Sequence, residues 1–211
     1  MSRPTKQDPQ RGHARSRLLE AARDTIRARG FGATSVDELC RAAGVTKGAF
    51  FHHFPSKEAI GIAAAEFWAE TTAAFFAAAP YHRPDDPLDR IFAYLDFRRS
   101  IIAGEAWEYS CLAGTMTQEV HQSAPEIRDA CAASIFGHAA TLEADFAAAM
   151  TARGMTGPPD APSLARQTQV ALQGGFILAK AAQDPGRAIE ALDHLEAYFR
   201  LLFDAPKGQP A

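Results

Sequence analysis

The sequence contains few cysteines. Cys40, Cys111 and Cys131 are odd in number, and their spacing fits neither a disulfide framework nor a metal site. We therefore expect reduced thiols in a cytoplasmic protein. The sequence predicts no metal and no cofactor.

Long hydrophobic runs are also missing. A membrane-spanning helix needs about 18 or more consecutive apolar residues. The nearest segment, residues 59–79, is interrupted by Glu66 and Glu70. The first ten residues, MSRPTKQDPQ, lack the apolar stretch of a secretory signal. We expect no membrane partner.

The sequence lacks the motifs of common enzyme classes. It has no G-x-S-x-G elbow, no phosphate-binding loop and no metal-ligand spacing, and its seven histidines are scattered. An all-helical enzyme, the remote alternative, would need a perturbed acid–base pair in an apolar cavity. We predict that the protein is not an enzyme.

Alanine is abundant and β-branched residues are few, which favours an all-α fold. The formal charge of −3 is unevenly distributed. Residues 1–57 hold eleven Lys/Arg and five Asp/Glu, whereas residues 58–211 hold eleven and twenty. A basic N-terminal part favours contact with a polyanion such as DNA. A solvent-exposed helix that is rich in arginine, with no nucleic-acid partner, would give the same local excess of positive charge.

Residues 12–55 carry the signals of three helices. The predicted segments are 12–29, 35–43 and 47–53. Ser35 and Glu38 fit a capping box, and Thr46 can cap the third helix. Gly44 suits the tight turn between the second and third helices. This is the helix-turn-helix layout, in which the second helix of the pair enters the DNA major groove.

The segment TSVDELCRAAGVTKGAFFHHFPSKEAI, residues 34–60, resembles the DNA-binding region of the TetR family of transcriptional regulators. The resemblance extends over about residues 14–62. It implies an all-α fold with an N-terminal three-helix DNA-binding domain, containing the helix-turn-helix, and a larger helical ligand-binding and dimerisation domain. It also implies a homodimer on a palindromic double-stranded DNA operator, with a small-molecule inducer.

The family motif implies DNA contacts from a set of residues around the turn and the recognition helix. They are Thr34, Ser35, Thr46, Lys47, Gly48, Phe51, His52 and Lys57. Phe51 occupies a position where many members have tyrosine, and Ala49 one where threonine is common. Both departures remove a hydroxyl that would contact phosphate.

The remaining sequence predicts further helices over 57–79, 88–102, a segment ending near His121, 123–153, 163–183 and 185–203. Ser123 and Glu126 fit a second capping box. Residues 80–87 are expected to form a loop and residues 154–163 a linker. We divide the chain into a flexible arm (1–11), a DNA-binding domain (12–55), an effector-binding and dimerisation domain (56–204) and a disordered tail (205–211).

Aromatic residues are dense between residues 57 and 146, which favours an apolar ligand pocket. The predicted lining is Phe67, Tyr94, Phe97, Trp107, Tyr109, Cys111, Met116, Phe136 and His138. Apolar stripes on the last two helices predict a dimer interface of Leu172, Gly175, Phe176, Leu192, Leu195 and Phe199. Both patterns are also typical of an ordinary hydrophobic core.

The run CLAGTMTQEV…SAPEIRDAC resembles the subgroup of the family to which NemR belongs. That resemblance implies a response to electrophiles through a thiol. The leading interpretation is a DNA-binding transcriptional repressor, released by a small apolar or aromatic ligand. The alternative is a sensor regulator triggered by modification of Cys111, which can also be a small apolar core residue.

Overall fold

The computed structural model describes residues 9–204, and side chains from residue 13 to residue 203. Eleven α-helices occur in this part of the chain, with no strand, which confirms the all-α prediction. They are α1 (Pro9–Arg29), α2 (Val36–Ala43), α3 (Lys47–His53), α4 (Lys57–Ala77), α5 (Pro87–Ser100), α6 (Ala106–Tyr109), α7 (Leu112–Val120), α8 (Pro125–Ala140), α9 (Glu143–Ala152), α10 (Ala161–Ala182) and α11 (Gly186–Asp204). No helix among these residues is long and apolar enough to cross a membrane.

Several boundaries differ from the prediction. The first helix begins at Pro9 instead of Gly12, and a 3-10 turn, Pro80–His82, lies inside the predicted loop 80–87. The linker is shorter than expected because Asp160 caps α10 through the amide of Ser163. Residues 1–8 of the predicted arm and the predicted tail, 205–211, lie outside the described residues.

The long helix predicted over 123–153 is wrong, because the chain breaks between α8 and α9. The amides of Thr141 and Leu142 bond three residues back, to His138 and Ala139, which tightens the last turn of α8. Leu142 is then buried in the core. At the other end α8 begins at Pro125, so Ala124 and not Ser123 precedes its first residue.

The chain divides into two compact units that do not follow sequence order. The first contains the described residues up to Trp68 together with Leu112–Cys131, and the second contains Ala69–Cys111 and the described residues from Ala132 to the end of α11. The sequence-based boundary at residue 56 is therefore not where the compact units separate. It missed that α7 packs against α1 within the first unit.

The core of the first unit contains the apolar stripe predicted for α1, since Leu18, Ala22 and Ile26 are fully buried. Phe31 folds back onto this core. A Cβ at Gly61 would lie 2.7 Å from the Phe31 ring. A glycine at this position of α4 therefore lets the helix approach the ring closely.

The core of the second unit is built around α10 and α11. The two helices approach closely at Gly175, where an added Cβ would lie 3.1 Å from the backbone of Ala188. Phe146 of α9 packs against Phe199 of α11, with ring centroids 5.1 Å apart. This core is continuous with the buried faces of α5 and α9.

Candidate nucleic-acid interface and ligand cavity

The turn between α2 and α3 is fixed by local hydrogen bonds. The Ser35 amide donates to the Glu38 carboxylate at 2.9 Å, and the Glu38 amide donates to the Ser35 hydroxyl at 3.2 Å, which confirms the capping box. Gly44 has a left-handed backbone, with φ of 61°. The guanidinium of Arg17, which sequence reasoning missed, donates to the Gly44 carbonyl at 3.1 Å.

Helix α3 presents one polar face to solvent and anchors the opposite face in the core. The Thr46 hydroxyl accepts from the Ala49 amide at 3.1 Å and so caps the helix. Phe50 is 0% exposed, whereas the neighbouring Phe51 is 51% exposed. The exposed side also carries three other residues predicted to contact DNA: Lys47, Gly48 and His52.

Lys47 pairs with a carboxylate that sequence reasoning did not consider. Its Nζ lies 2.9 Å from a carboxylate oxygen of Asp37 on α2. The hydrogen bond to Asp37 raises the pKa of Lys47, so the ammonium stays charged at neutral pH. Both side chains are exposed, so the ion pair is easily exchanged for a phosphate.

The structure does not support direct DNA contact by Thr34. Its side chain is 1% exposed, and its hydroxyl donates to the Gly30 carbonyl at 2.7 Å. This residue holds the turn before α2. The Ser35 hydroxyl is likewise engaged by Glu38, although Ser35 remains exposed.

Lys57 is half-buried and interacts within the first unit. Its Nζ donates to the Gly32 carbonyl at 3.2 Å and lies 4.5 Å from the Phe31 ring centroid. The Gly32 amide in turn donates to Glu119 of α7 at 2.7 Å. Sequence reasoning missed Glu119, because 87 residues separate the two partners. Lys57 of α4 and Glu119 of α7 thus both bind the backbone of the loop before α2.

A cavity of about 440 Å³ lies in the second unit. Small and aromatic residues line it: Ala69, Thr72, Ala73, Phe76, Ala77, Tyr81, His82, Ala133, Ser134, Gly137, His138 and Thr141. Of the nine residues predicted to line a pocket, only His138 is among them. The alanines and Gly137 create the space, a signal that a search for aromatic residues does not detect.

The other predicted lining residues are dispersed. Tyr94 is not a lining residue but contacts one, because its hydroxyl lies 3.0 Å from Nε2 of His138. Tyr109 packs on Phe176, with ring centroids 6.0 Å apart. Trp107 and Phe136 are exposed, Phe136 by 59%. The remaining four do not line the cavity either: Phe67 and Met116 belong to the first unit, and Phe97 and Cys111 pack against the core of the second.

The polar groups at the cavity are two histidines and four hydroxyl side chains. Burial lowers the pKa of His138 to about 4, so its imidazole is neutral at pH 7. Its Nε2 lies 3.0 Å from the Tyr94 hydroxyl. Nε2 of His82 lies 3.0 Å from the Phe76 carbonyl, which can only accept, so this nitrogen carries a proton. The lining therefore offers a few hydrogen-bonding groups within a largely apolar surface.

The residues predicted for the dimer interface are core residues of a single chain. All six are buried in the second unit: Leu172, Gly175, Phe176, Leu192, Leu195 and Phe199. A different set of apolar residues on the same two helices faces solvent: Val170, Ile177, Leu178, Tyr198 and Leu201. Periodicity located the two helices, but the stripe that it assigned to the interface is buried within one chain.

Comparison with protein families agrees with this architecture. A model described as bacterial regulatory proteins of the TetR family matches residues 18–64, which contain the helix-turn-helix. A second model, described as the C-terminal domain of LmrA/YxaF-like transcriptional regulators, matches residues 87–193, half of the chain. The chain belongs to the TetR family of DNA-binding transcriptional regulators.

Individual relatives of this regulator are distant. The transcriptional regulator AcuR of Cereibacter sphaeroides is 24% identical over 172 residues, which are 82% of this chain and 78% of AcuR. A solved TetR regulatory protein from Rhodobacter sphaeroides aligns with a TM-score of 0.78 at 22% identity, over 88% of this chain and 98% of that protein. The reduced form of Escherichia coli NemR aligns with a TM-score of 0.75 at 24% identity, over 87% and 95%. These two structures share the fold.

Proposed function

We propose that this regulator is a homodimeric repressor that binds a palindromic operator and is released by a small apolar or aromatic ligand. The observation that carries the proposal is the capped helix α3, which exposes Thr46, Lys47, Gly48 and His52 together. A protein with two-fold symmetry would present two such helices to successive major grooves.

The cavity of the second unit is the proposed ligand site. Its size and lining suit a small, mostly apolar molecule. Helix α4 begins with Lys57, beside the loop before α2, and ends with the cavity residues Ala73, Phe76 and Ala77. We propose that a ligand favours a position of α4 that is incompatible with operator binding, which is release by population shift.

A binding selection tests the proposed function. The purified full-length regulator is mixed with genomic fragments at moderate salt, and the bound fragments are sequenced. Recovery of a palindrome supports specific dimeric recognition. Weak binding that does not depend on sequence would contradict it.

Lys47→Ala should weaken operator binding and reduce its dependence on salt. Each lost phosphate contact reduces the magnitude of the slope of log K against log[salt] by about 1. Because a dimer carries two copies of Lys47, the magnitude of its slope should fall by about 2. Asp37→Asn should have the opposite effect on affinity, because it frees Lys47 from its ion pair. Affinity is measured by fluorescence anisotropy over a salt series.

Arg83→Gln is the matched control for Lys47→Ala. It removes one exposed positive charge from the second unit and should leave the salt slope unchanged. A slope for Lys47→Ala equal to that of the parent would mean that α3 does not approach the phosphates as proposed.

A second candidate function is thiol sensing at Cys111. Among the three cysteines this one is half-buried, whereas Cys40 and Cys131 are buried. If modification of Cys111 releases the operator, Cys111→Ser should abolish release by N-ethylmaleimide while leaving operator affinity unchanged. Cys131→Ser is the control and should still respond. Release of the Cys111→Ser variant by the reagent would rule this function out.

A further inference from the structure

Arg98 of α5 places a cation among aromatic rings in the second unit. Its guanidinium carbon lies 5.0 Å from the ring centroid of Phe76 and 5.8 Å from that of Phe176. The Nε–H group is buried and makes no hydrogen bond. A buried donor without an acceptor lowers the stability of the fold, so the position of this N–H group needs an explanation.

The surrounding arginines differ from Arg98 in this respect. Arg99, the next residue, pairs with Asp96, Asp193 and Glu196. Arg90 on the same helix pairs with Asp145. In the described part of the chain, by contrast, no carboxylate pairs with Arg98. Local acidic residues are thus engaged elsewhere, and one positive charge is left without an anion.

A second unsatisfied donor lies near the same position. Nε2 of Gln169 on α10 is buried and makes no hydrogen bond of normal geometry. Gln169 is directed toward the hydroxyl of Tyr94, a fully buried residue that also lies within range of the Arg98 charge. Two buried donors, one of them on the cation Arg98, therefore lie close to Tyr94, and neither makes a hydrogen bond within the described part of the chain.

We propose that Arg98, assisted by Gln169, binds the carboxylate of the effector, and that the effector is a small organic acid. This inference rests on the proposed ligand-controlled function and specifies its ligand class. Phe76 borders both Arg98 and the cavity, so the apolar part of the acid lies against aromatic surface. A single guanidinium with one amide matches the single charge of one carboxylate and offers its oxygens N–H donors, whereas a phosphate dianion would need a second cation.

The first experiment compares acids with their amides on the unmodified full-length protein. Propanoate, hexanoate and benzoate are titrated by calorimetry at constant ionic strength, beside propanamide, hexanamide and benzamide. At least one acid should bind about tenfold or more tightly than its amide, because only the acid forms a charge-assisted pair. Equal binding of acid and amide, or no binding by any of the three acids, would overturn the proposal.

The second experiment uses Arg98→Gln, with Arg83→Gln as the control for the loss of an arginine charge at an exposed site. The tightest acid should lose about tenfold or more in affinity for Arg98→Gln and none for the control. Unchanged affinity for a folded Arg98→Gln variant would overturn the assignment. If that variant does not fold, Gln169→Leu is measured instead, and the acid–amide comparison stands without any variant.

Operator binding separates this inference from the proposed function. Specific operator recognition together with no acid binding would leave the regulator intact and refute the carboxylate site. Acid binding that requires Arg98, in a protein that recognises no operator, would support the site and refute the proposed repressor. Release of the operator by the tightest acid, but not by its amide, supports both.

Discussion

Phe50→Ala should destabilise the first unit by about 3–5 kcal/mol, whereas Phe51→Ala should change its stability by less than about 1 kcal/mol. The two side chains are adjacent on α3 and chemically identical, but one is 0% and the other 51% exposed. Phe50 packs against Phe54, with ring centroids 5.9 Å apart, and removing its ring leaves a cavity under the recognition helix. Removing the Phe51 ring mainly uncovers surface that water already reaches.

Denaturant unfolding of the full-length chain, followed by circular dichroism, measures both effects. The midpoint of the first transition should fall for Phe50→Ala and remain close to the parent for Phe51→Ala. Operator binding should be lost with Phe50→Ala because α3 is no longer held. Equal losses of stability in the two variants would contradict the assignment of an inner and an outer face to α3.

The helix-turn-helix could be predicted in detail because its signals are local. The capping box of Ser35 and Glu38, the left-handed Gly44 and the Thr46 cap each depend on residues at most four positions apart. Thr34 was the exception. The family resemblance implied a DNA contact for this residue, but the turn after α1 directs its hydroxyl to the Gly30 carbonyl.

The second unit could be predicted only as a set of helices. An apolar stripe must be covered, but its sequence does not say whether its own chain or another chain covers it. Leu172 and Leu192 are covered by their own chain, and Val170 and Ile177 are not. The cavity escaped prediction for a related reason. The alanines and Gly137 leave the cavity open because their side chains are small. Which small residues of a sequence face the same cavity depends on tertiary packing.

The unsatisfied donors on Arg98 and Gln169 could not be predicted from the sequence either. An arginine in a helix is usually solvated or paired, and Arg99 shows the paired case one residue later. Only the positions of the acidic side chains in the folded unit reveal which arginine has no partner.

Val170→Asp combined with Ile177→Asp should convert the proposed dimer into a monomer and abolish tight operator binding. Val170 is 62% and Ile177 46% exposed, and they lie seven residues apart on one face of α10. Leu201 of α11 adds a further apolar side chain that is 76% exposed. A two-fold interface would meet each new carboxylate twice, and burying unpaired charges is strongly unfavourable.

Light scattering after size-exclusion chromatography gives the mass, and anisotropy gives the operator affinity. Losing simultaneous engagement of two half-sites should weaken binding by about 10²–10⁴-fold. Ala144→Asp with Ala148→Asp adds the same charge to an exposed face of α9 and should change neither quantity. A Val170/Ile177 variant that keeps both dimer mass and affinity would mean that this stripe is not the interface. In that case the exposed apolar residues of α10 would need a different partner, because a dimer held elsewhere would leave them uncovered.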